Sequence, residues 1–247
     1  MEGTVTLMLK LEKVSKAYQK GTVKAVDDIS FEVKPGEIFG FLGPNGAGKT
    51  TTLKMIVGLL KPDEGNIYID GMDNQEESLE TKKIISYVPD THEVYERLTG
   101  IEYLNFIADM YAVSREERVQ RIQYYLEVFQ LKEAVNDLIK SYSHGMKQKI
   151  VLIGALIHDP KIFILDEPMV GLDPKASFQL KEIMRLRCQE GKSVFFSTHV
   201  LEVAEKLCDR IAIIRKGEII ACGTMEEIRG QRKQQESLEN IFLELTE

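Results

Sequence analysis

The 247-residue sequence contains no tryptophan and only three cysteines, Cys188, Cys208 and Cys222. Their odd number and the lack of a Cys-x-x-Cys pair exclude a disulfide framework and argue against a zinc site. They read as buried or incidental thiols in a reducing compartment. The four histidines do not pair at metal-ligand spacing. Long apolar runs are missing too: the cleanest, residues 150–157, is interrupted by Gly154 and falls far short of the roughly 20 residues a spanning helix needs. The N-terminus carries an acid at position 2 and lacks the apolar core of a signal peptide, so a soluble chain is expected. Excess basic charge is also lacking. Lys and Arg number 32 against 39 Asp and Glu, for a net charge of -7, which disfavours a nucleic-acid partner.

What is present is an ordinary globular composition, 43% hydrophobic and 29% charged, in a chain long enough for one large domain or a domain with a subdomain. Residues 7–14 and 29–33 alternate as strands, with a turn at 19–21 between them. Lys34-Pro35-Gly36 turns into an apolar strand at 38–42, and a helix is expected over 49–59. Further strands are expected at 66–70 and at 84–88, the latter stopped by Pro89. From about 91 to 159 the pattern turns helical. Thr99 and Glu102 form a capping box behind Leu98, and Ser114 with Glu117 reads as a second one. The helix opened by Ser114 carries Val119, Ile122, Leu126 and Phe129 at helical spacing. The α/β pattern then resumes. Its parts are a strand at 162–165, a helix capped by Asp173 with Pro174 at its first position, and a strand at 193–197. A helix from about 200 and a hairpin around Lys216-Gly217 follow. Residues 231–236 read as a polar hinge and 238–245 as an amphipathic helix.

Gly43-Pro44-Asn45-Gly46-Ala47-Gly48-Lys49-Thr50 fits GxxxxGK[ST] at every fixed position, between an apolar strand and a helix. Glycines at this spacing let backbone N–H groups wrap phosphates, and the helix start adds positive potential. Lys49 should reach the β- and γ-phosphates, and Thr50 should offer its hydroxyl to Mg²⁺. The apolar run Ile162-Phe163-Ile164-Leu165 ends in Asp166-Glu167. An acid at such a strand end can hold Mg²⁺, which suits Asp166. Glu167, one residue on, can polarise the attacking water as a general base.

With these residues the chain resembles, across essentially its whole length, the nucleotide-binding subunit of an ATP-binding cassette (ABC) transporter. The two Walker motifs are followed by Ser143-His144-Gly145-Met146-Lys147-Gln148, where the family has its signature motif. Gly171-Leu172-Asp173-Pro174 then matches the loop that communicates between two ATP sites, and Ser197-Thr198-His199 the switch histidine. The resemblance implies an α/β fold: a phosphate-loop core over 1–90 and 160–230 with an N-terminal antiparallel β-subdomain. An inserted helical subdomain would occupy 91–159 and a closing helix 231–247. It implies that ATP is bound by Tyr18, Gly43, Asn45, Gly46, Ala47, Gly48, Lys49, Thr50 and Thr51. Ser143, Gly145 and Asp173 would serve the ATP of a second subunit. Lys49, Glu167 and His199 would be catalytic, and Thr50, Asp90 and Asp166 would face Mg²⁺.

The implied partners are a second nucleotide-binding subunit, identical or not, and integral membrane permease chains on the cytoplasmic face of the membrane. Segment 198–209 and the tail look like the export-type branch. Two positions depart from the family pattern. Asp90 stands where a glutamine is usual, and in the signature His144 replaces a glycine and Met146 a glutamine. Asp90 can still ligate a hard cation but cannot donate a hydrogen bond. Two other classes fit parts of the sequence. One is a soluble ABC ATPase of translation, DNA maintenance or iron–sulfur assembly, of which translation types usually carry two cassettes per chain and DNA-maintenance types long coiled coils. The other, a phosphate-loop kinase, would leave the signature and histidine matches unexplained.

Overall fold

Two sheets form the frame of the computed structural model, which describes residues 7–18, 23–91 and 94–230. The turn expected at 19–21 and the closing helix expected at 231–247 lie outside the described residues. In the first sheet, β1 (Leu9–Tyr18) pairs antiparallel with β2 (Val23–Val33), placing Leu9 opposite Val33, and with β4 (Glu64–Ile69), placing Leu9 opposite Ile69. A two-residue strand, β5 (Met72–Asp73), extends it. Alternation puts Leu9, Leu11 and Val14 inside, as a half-covered antiparallel sheet requires.

The second sheet has six strands in the order β10-β9-β3-β8-β7-β6. Those strands are β3 (Ile38–Leu42), β6 (Ile85–Val88), β7 (Ile162–Asp166), β8 (Ser193–Thr198), β9 (Arg210–Arg215) and β10 (Glu218–Gly223). All neighbours run parallel except the β9–β10 hairpin. Every residue of β3, β7 and β8 is buried, which explains the apolar runs at 38–42, 162–165 and 194–196. Phe31 of the first sheet stacks against both Phe39 of β3 and Phe195 of β8, with centroids 5.4 and 5.7 Å away. Such aromatic pairs tie the two sheets into one core.

The helices are α1 (Lys49–Ile56), α2 (Ser78–Ile84), α3 (Gly100–Met110), α4 (Arg115–Val128), α5 (His144–Ile157), α6 (Pro174–Gln189), α7 (Leu201–Leu207) and α8 (Met225–Gly230). The first stops at Ile56 rather than Leu59, because Gly58 turns left-handed with φ +69°. Residues 72–84 hold a strand and a helix that no sequence period announced. The Thr99–Glu102 capping box is complete, with both reciprocal bonds made. At Ser114 only half the box forms: Glu117 Oε2 accepts from the Ser114 hydroxyl instead of its backbone N–H. Val119 lies 47% exposed, off the buried Ile122–Leu126–Phe129 face. No helix among the described residues is long and apolar enough to cross a membrane.

The helical block lies between β6 and β7, neighbours in the sheet, so it is the crossover that joins two parallel strands. It is not a separate core. Ile122, Leu126 and Phe129 belong to the same buried cluster as Phe163, Leu165 and Phe196 of the sheet. At the seam, the His158 ring stacks on Tyr111 with centroids 3.6 Å apart. Its Nε2 lies 2.9 Å from the Ile85 carbonyl, and its buried Nδ1 has no partner among the described residues.

Burial pushes the His158 imidazole down from 6.5 to about 4, with the Arg187 and Arg121 charges adding, while the Ile85 carbonyl and Asp159 oppose the shift. Folding therefore favours the neutral ring. That contribution is complete above pH 6.5 and is lost as pH falls toward 4, on the order of 3 kcal/mol in all. His158→Phe is expected to flatten the fall of the urea midpoint across that interval. Parallel midpoint-against-pH curves for the two proteins would contradict the assignment.

Candidate active site

In parallel α/β sheets ligands gather at the carboxyl ends of the strands. Four adjacent strands here, β3, β8, β7 and β6, deliver chemically active residues to that edge. They carry the 43–50 loop, Thr198-His199, Asp166-Glu167 and Asp90 respectively. A cleft of about 250 Å³ opens there, walled by Asn45, Gly46, Gly48, Lys49, Thr50, Thr51, Asp90, Asp166 and Glu167, with Ala25 and Pro44. The topology thus gathers residues more than 100 positions apart in sequence.

The loop geometry follows from its glycines. Gly48 takes φ +112° as the N-cap of α1, and a Cβ there would sit 2.4 Å from the Ala25 carbonyl oxygen. Only glycine fits that position. Ala47 is buried rather than on the cleft wall, its carbonyl accepting from Gly217 N at 2.9 Å. Lys49, first residue of α1, is almost wholly buried. Its Nζ donates to the Gly43 carbonyl at 2.6 Å and the Pro44 carbonyl at 3.2 Å, and lies 3.4 Å from Glu167 Oε1.

Asp166 ends β7 fully buried. The Thr50 hydroxyl donates to its Oδ2 at 2.8 Å and the Ser197 hydroxyl to its Oδ1 at 2.5 Å. Burial raises the Asp166 carboxyl above the usual carboxylate range, and the Asp90 and Glu167 charges add to that, while the two hydroxyls pull the other way. A nearby cation would relieve this cost. Thr50 and Asp166 are converging hard oxygen donors, which fits Mg²⁺. That ion commonly takes one or two carboxylates and completes its shell with water and substrate phosphate. Asp90 lines the same cleft, though it is exposed and its Oδ1 accepts from Thr91 N at 2.7 Å.

Glu167 adopts φ +49°, a conformation unfavourable for any residue with a Cβ. Its backbone N–H donates to the Ser197 hydroxyl at 3.0 Å, and its Oε1 stands 3.0 Å from His199 Nδ1. One serine oxygen therefore orients both neighbouring acids. In the sequence Ser197 stands out only as a neighbour of His199; a serine that orients two acids from an adjacent strand has no spacing signature of its own. Four expected residues, Ser143, Gly145, Asp173 and Tyr18, stand apart from the cleft. Ser143 caps α5, its hydroxyl accepting from Met146 N at 3.3 Å, and Gly145 lies in that helix's first turn. Asp173 caps α6, and the paired Lys149 ammonium and the Ala176 N–H hold its carboxyl below the usual range. Tyr18 ends β1, 42% exposed and off the cleft wall.

A phosphate loop, an acid pair and a histidine at one sheet edge, with a capped helix start outside the cleft, define an ATPase of the ATP-binding cassette class. The family model described as "ABC transporter" matches residues 26–170. The chain belongs to that family, as an ATP-binding and ATP-hydrolysing subunit. It is 42% identical over 221 residues to the linearmycin resistance ATP-binding protein LnrL of Bacillus subtilis, covering 90% of this chain and 70% of that one. Among solved structures it is similar to an ATP-binding subunit of an ABC transporter, with TM-score 0.92, 35% identity, and 97% and 100% of the two chains covered. It is also similar to the dimeric post-hydrolysis state of an ATP-binding cassette bound to ADP and Pi, with TM-score 0.80 and 30% identity. That match covers 88% of this chain and 99% of the other.

Proposed function

We propose that two such chains, identical or not, pack head to tail, each ATP held between the 43–50 loop of one and the helix start at Ser143 of the other. The carrying observation is the placement of Ser143 and Gly145 on a helix start outside the cleft that holds Lys49, Asp166 and Glu167. One chain then makes half of each site, in line with the dimeric cassette it resembles. Lys49 and the loop amides hold phosphate, Tyr18 stacks on the base, and Asp173 faces the partner across the junction. Glu167 takes a proton from the attacking water, and His199, beside Glu167 Oε1, orients it and contacts the terminal phosphate. Mg²⁺, held by Thr50, Asp166 and Asp90, would neutralise developing phosphate charge.

Closure with ATP and reopening after hydrolysis drive a separate membrane permease, placing the chain on the cytoplasmic face of the membrane. A largely apolar groove of about 440 Å³ supports this docking. It runs between Leu59 and Leu79 on one side and Met110 and Tyr111 on the other, and its mouth exposes Leu59, Leu79 and Met110. Monomeric surfaces seldom leave large side chains so clustered. The resistance function in the relative's printed name favours export. Purification from membranes under mild detergent is expected to bring down an integral membrane protein along with Mg²⁺-dependent ATPase activity. Recovery of active ATPase from the soluble fraction alone, with no membrane companion, would favour the uncoupled ABC ATPase instead.

A further inference from the structure

Gln148 is nearly completely buried, at 1% exposure, although it is polar and sits on α5 only five residues after Ser143. Its Nε2 donates to the Pro168 carbonyl at 3.0 Å, immediately after Glu167. Its Oε1 is buried with no hydrogen-bond partner among the described residues. A buried, half-used amide of this kind is costly, which favours a role beyond packing.

Two more contacts run the same way. The space beside Gly171 Cα is filled by the neighbouring helix. A Cβ added to Gly171 would lie 2.8 Å from His144 Nε2 and 3.0 Å from Gln148 Oε1, and Gly171 holds φ +83°. Lys149 Nζ pairs with Asp173 Oδ2 at 2.6 Å. The first turns of α5 are therefore bonded to the 168–173 loop at its start by Gln148 and at its end by Lys149, with His144 packed close to its middle.

We propose that Gln148 is a positioning residue that couples the helix start facing one ATP to the general base of the other site within the same chain. The inference rests on the functional reading above, in which Ser143 and Gly145 meet the partner's nucleotide. Movement of α5 on engaging that nucleotide is carried by the amide to the Pro168 carbonyl. It thereby reaches the residue next in the chain after Glu167, and Glu167 itself holds the unfavourable φ of +49°. His144, exposed but wedged over Gly171, keeps the loop from slipping along the helix.

The test uses Gln148→Met, which keeps the side-chain length and removes the donor, and His144→Ala, whose exposed site makes misfolding improbable. Steady-state ATPase is measured against ATP concentration, together with equilibrium binding of a fluorescent ATP analogue under dilute, monomeric conditions. For Gln148→Met, turnover is expected to fall about tenfold to a hundredfold, the Hill coefficient to drop to near unity, and monomer affinity to stay as in wild type. For His144→Ala the Hill coefficient should fall with a smaller loss of turnover. Wild-type cooperativity in both variants overturns the coupling, as does a turnover loss matched by a loss of monomer affinity. The wild type run in parallel carries the functional reading, so a silent wild type counts against that reading and a variant matching an active wild type against the coupling.

Discussion

Glu167→Gln is expected to bind ATP as the wild type does, to hydrolyse it slower by about a hundredfold or more, and to accumulate as a closed dimer. The carboxylate sits one residue past the buried Asp166 and is held 3.0 Å from His199 Nδ1 and 3.4 Å from Lys49 Nζ, a position suited to taking a proton from water. The amide keeps shape and hydrogen-bonding capacity but cannot act as a base at neutral pH. It also removes one negative charge from a cleft that already holds Asp90 and Asp166. Less repulsion toward a polyphosphate and no route to products both favour the ATP-bound dimer. Gel filtration with and without ATP, beside an ATPase assay, reads the two effects. An ATP-insensitive elution volume, or turnover within tenfold of wild type, would remove Glu167 from its assigned role.

Lys49→Ala should give the opposite pattern, with nucleotide binding and turnover lost together. The ammonium is held in place by the Gly43 and Pro44 carbonyls at the mouth of α1, so little freedom remains to be lost when phosphate arrives. Removing it takes away a fixed positive charge from the cleft, an effect of about a hundredfold to a thousandfold in turnover. It also strips those two carbonyls of their donor, so a modest stability loss of about 1–2 kcal/mol is expected. Titration with a fluorescent ATP analogue separates this variant from Glu167→Gln. Tight binding by Lys49→Ala would show that the loop amides suffice and would shift the lysine's assigned role wholly to the transition state.

The sequence was most legible where burial is complete. The runs at 38–42 and 162–165 could be read as core strands because both faces of that sheet are covered, leaving no polar position to blur them. Asp173 with Pro174 and the Thr99 box were legible because caps need fixed residue types at fixed offsets. Helix α2 was not, since of its residues only Thr81 is buried, and a helix with one inward residue has no period to detect. The same logic divides the site. Loop and acid-pair residues follow from their motifs, whereas Ser197 and Gln148 act through hydrogen bonds to residues 20 or more positions away. No local pattern encodes such a contact.

The shared core described for the helical block bears on how the chain could be rebuilt. Because Leu126 and Phe129 pack in one cluster with Phe163 and Phe196, the block is a roof over one face of the sheet rather than an attachment. A chimera that exchanges residues 91–159 with those of another cassette would have to match side-chain volumes under that roof as well as the two splice points. Grafts chosen by splice geometry alone would yield loosened, aggregation-prone chains, while grafts that carry their own inner sheet-facing residues would fold.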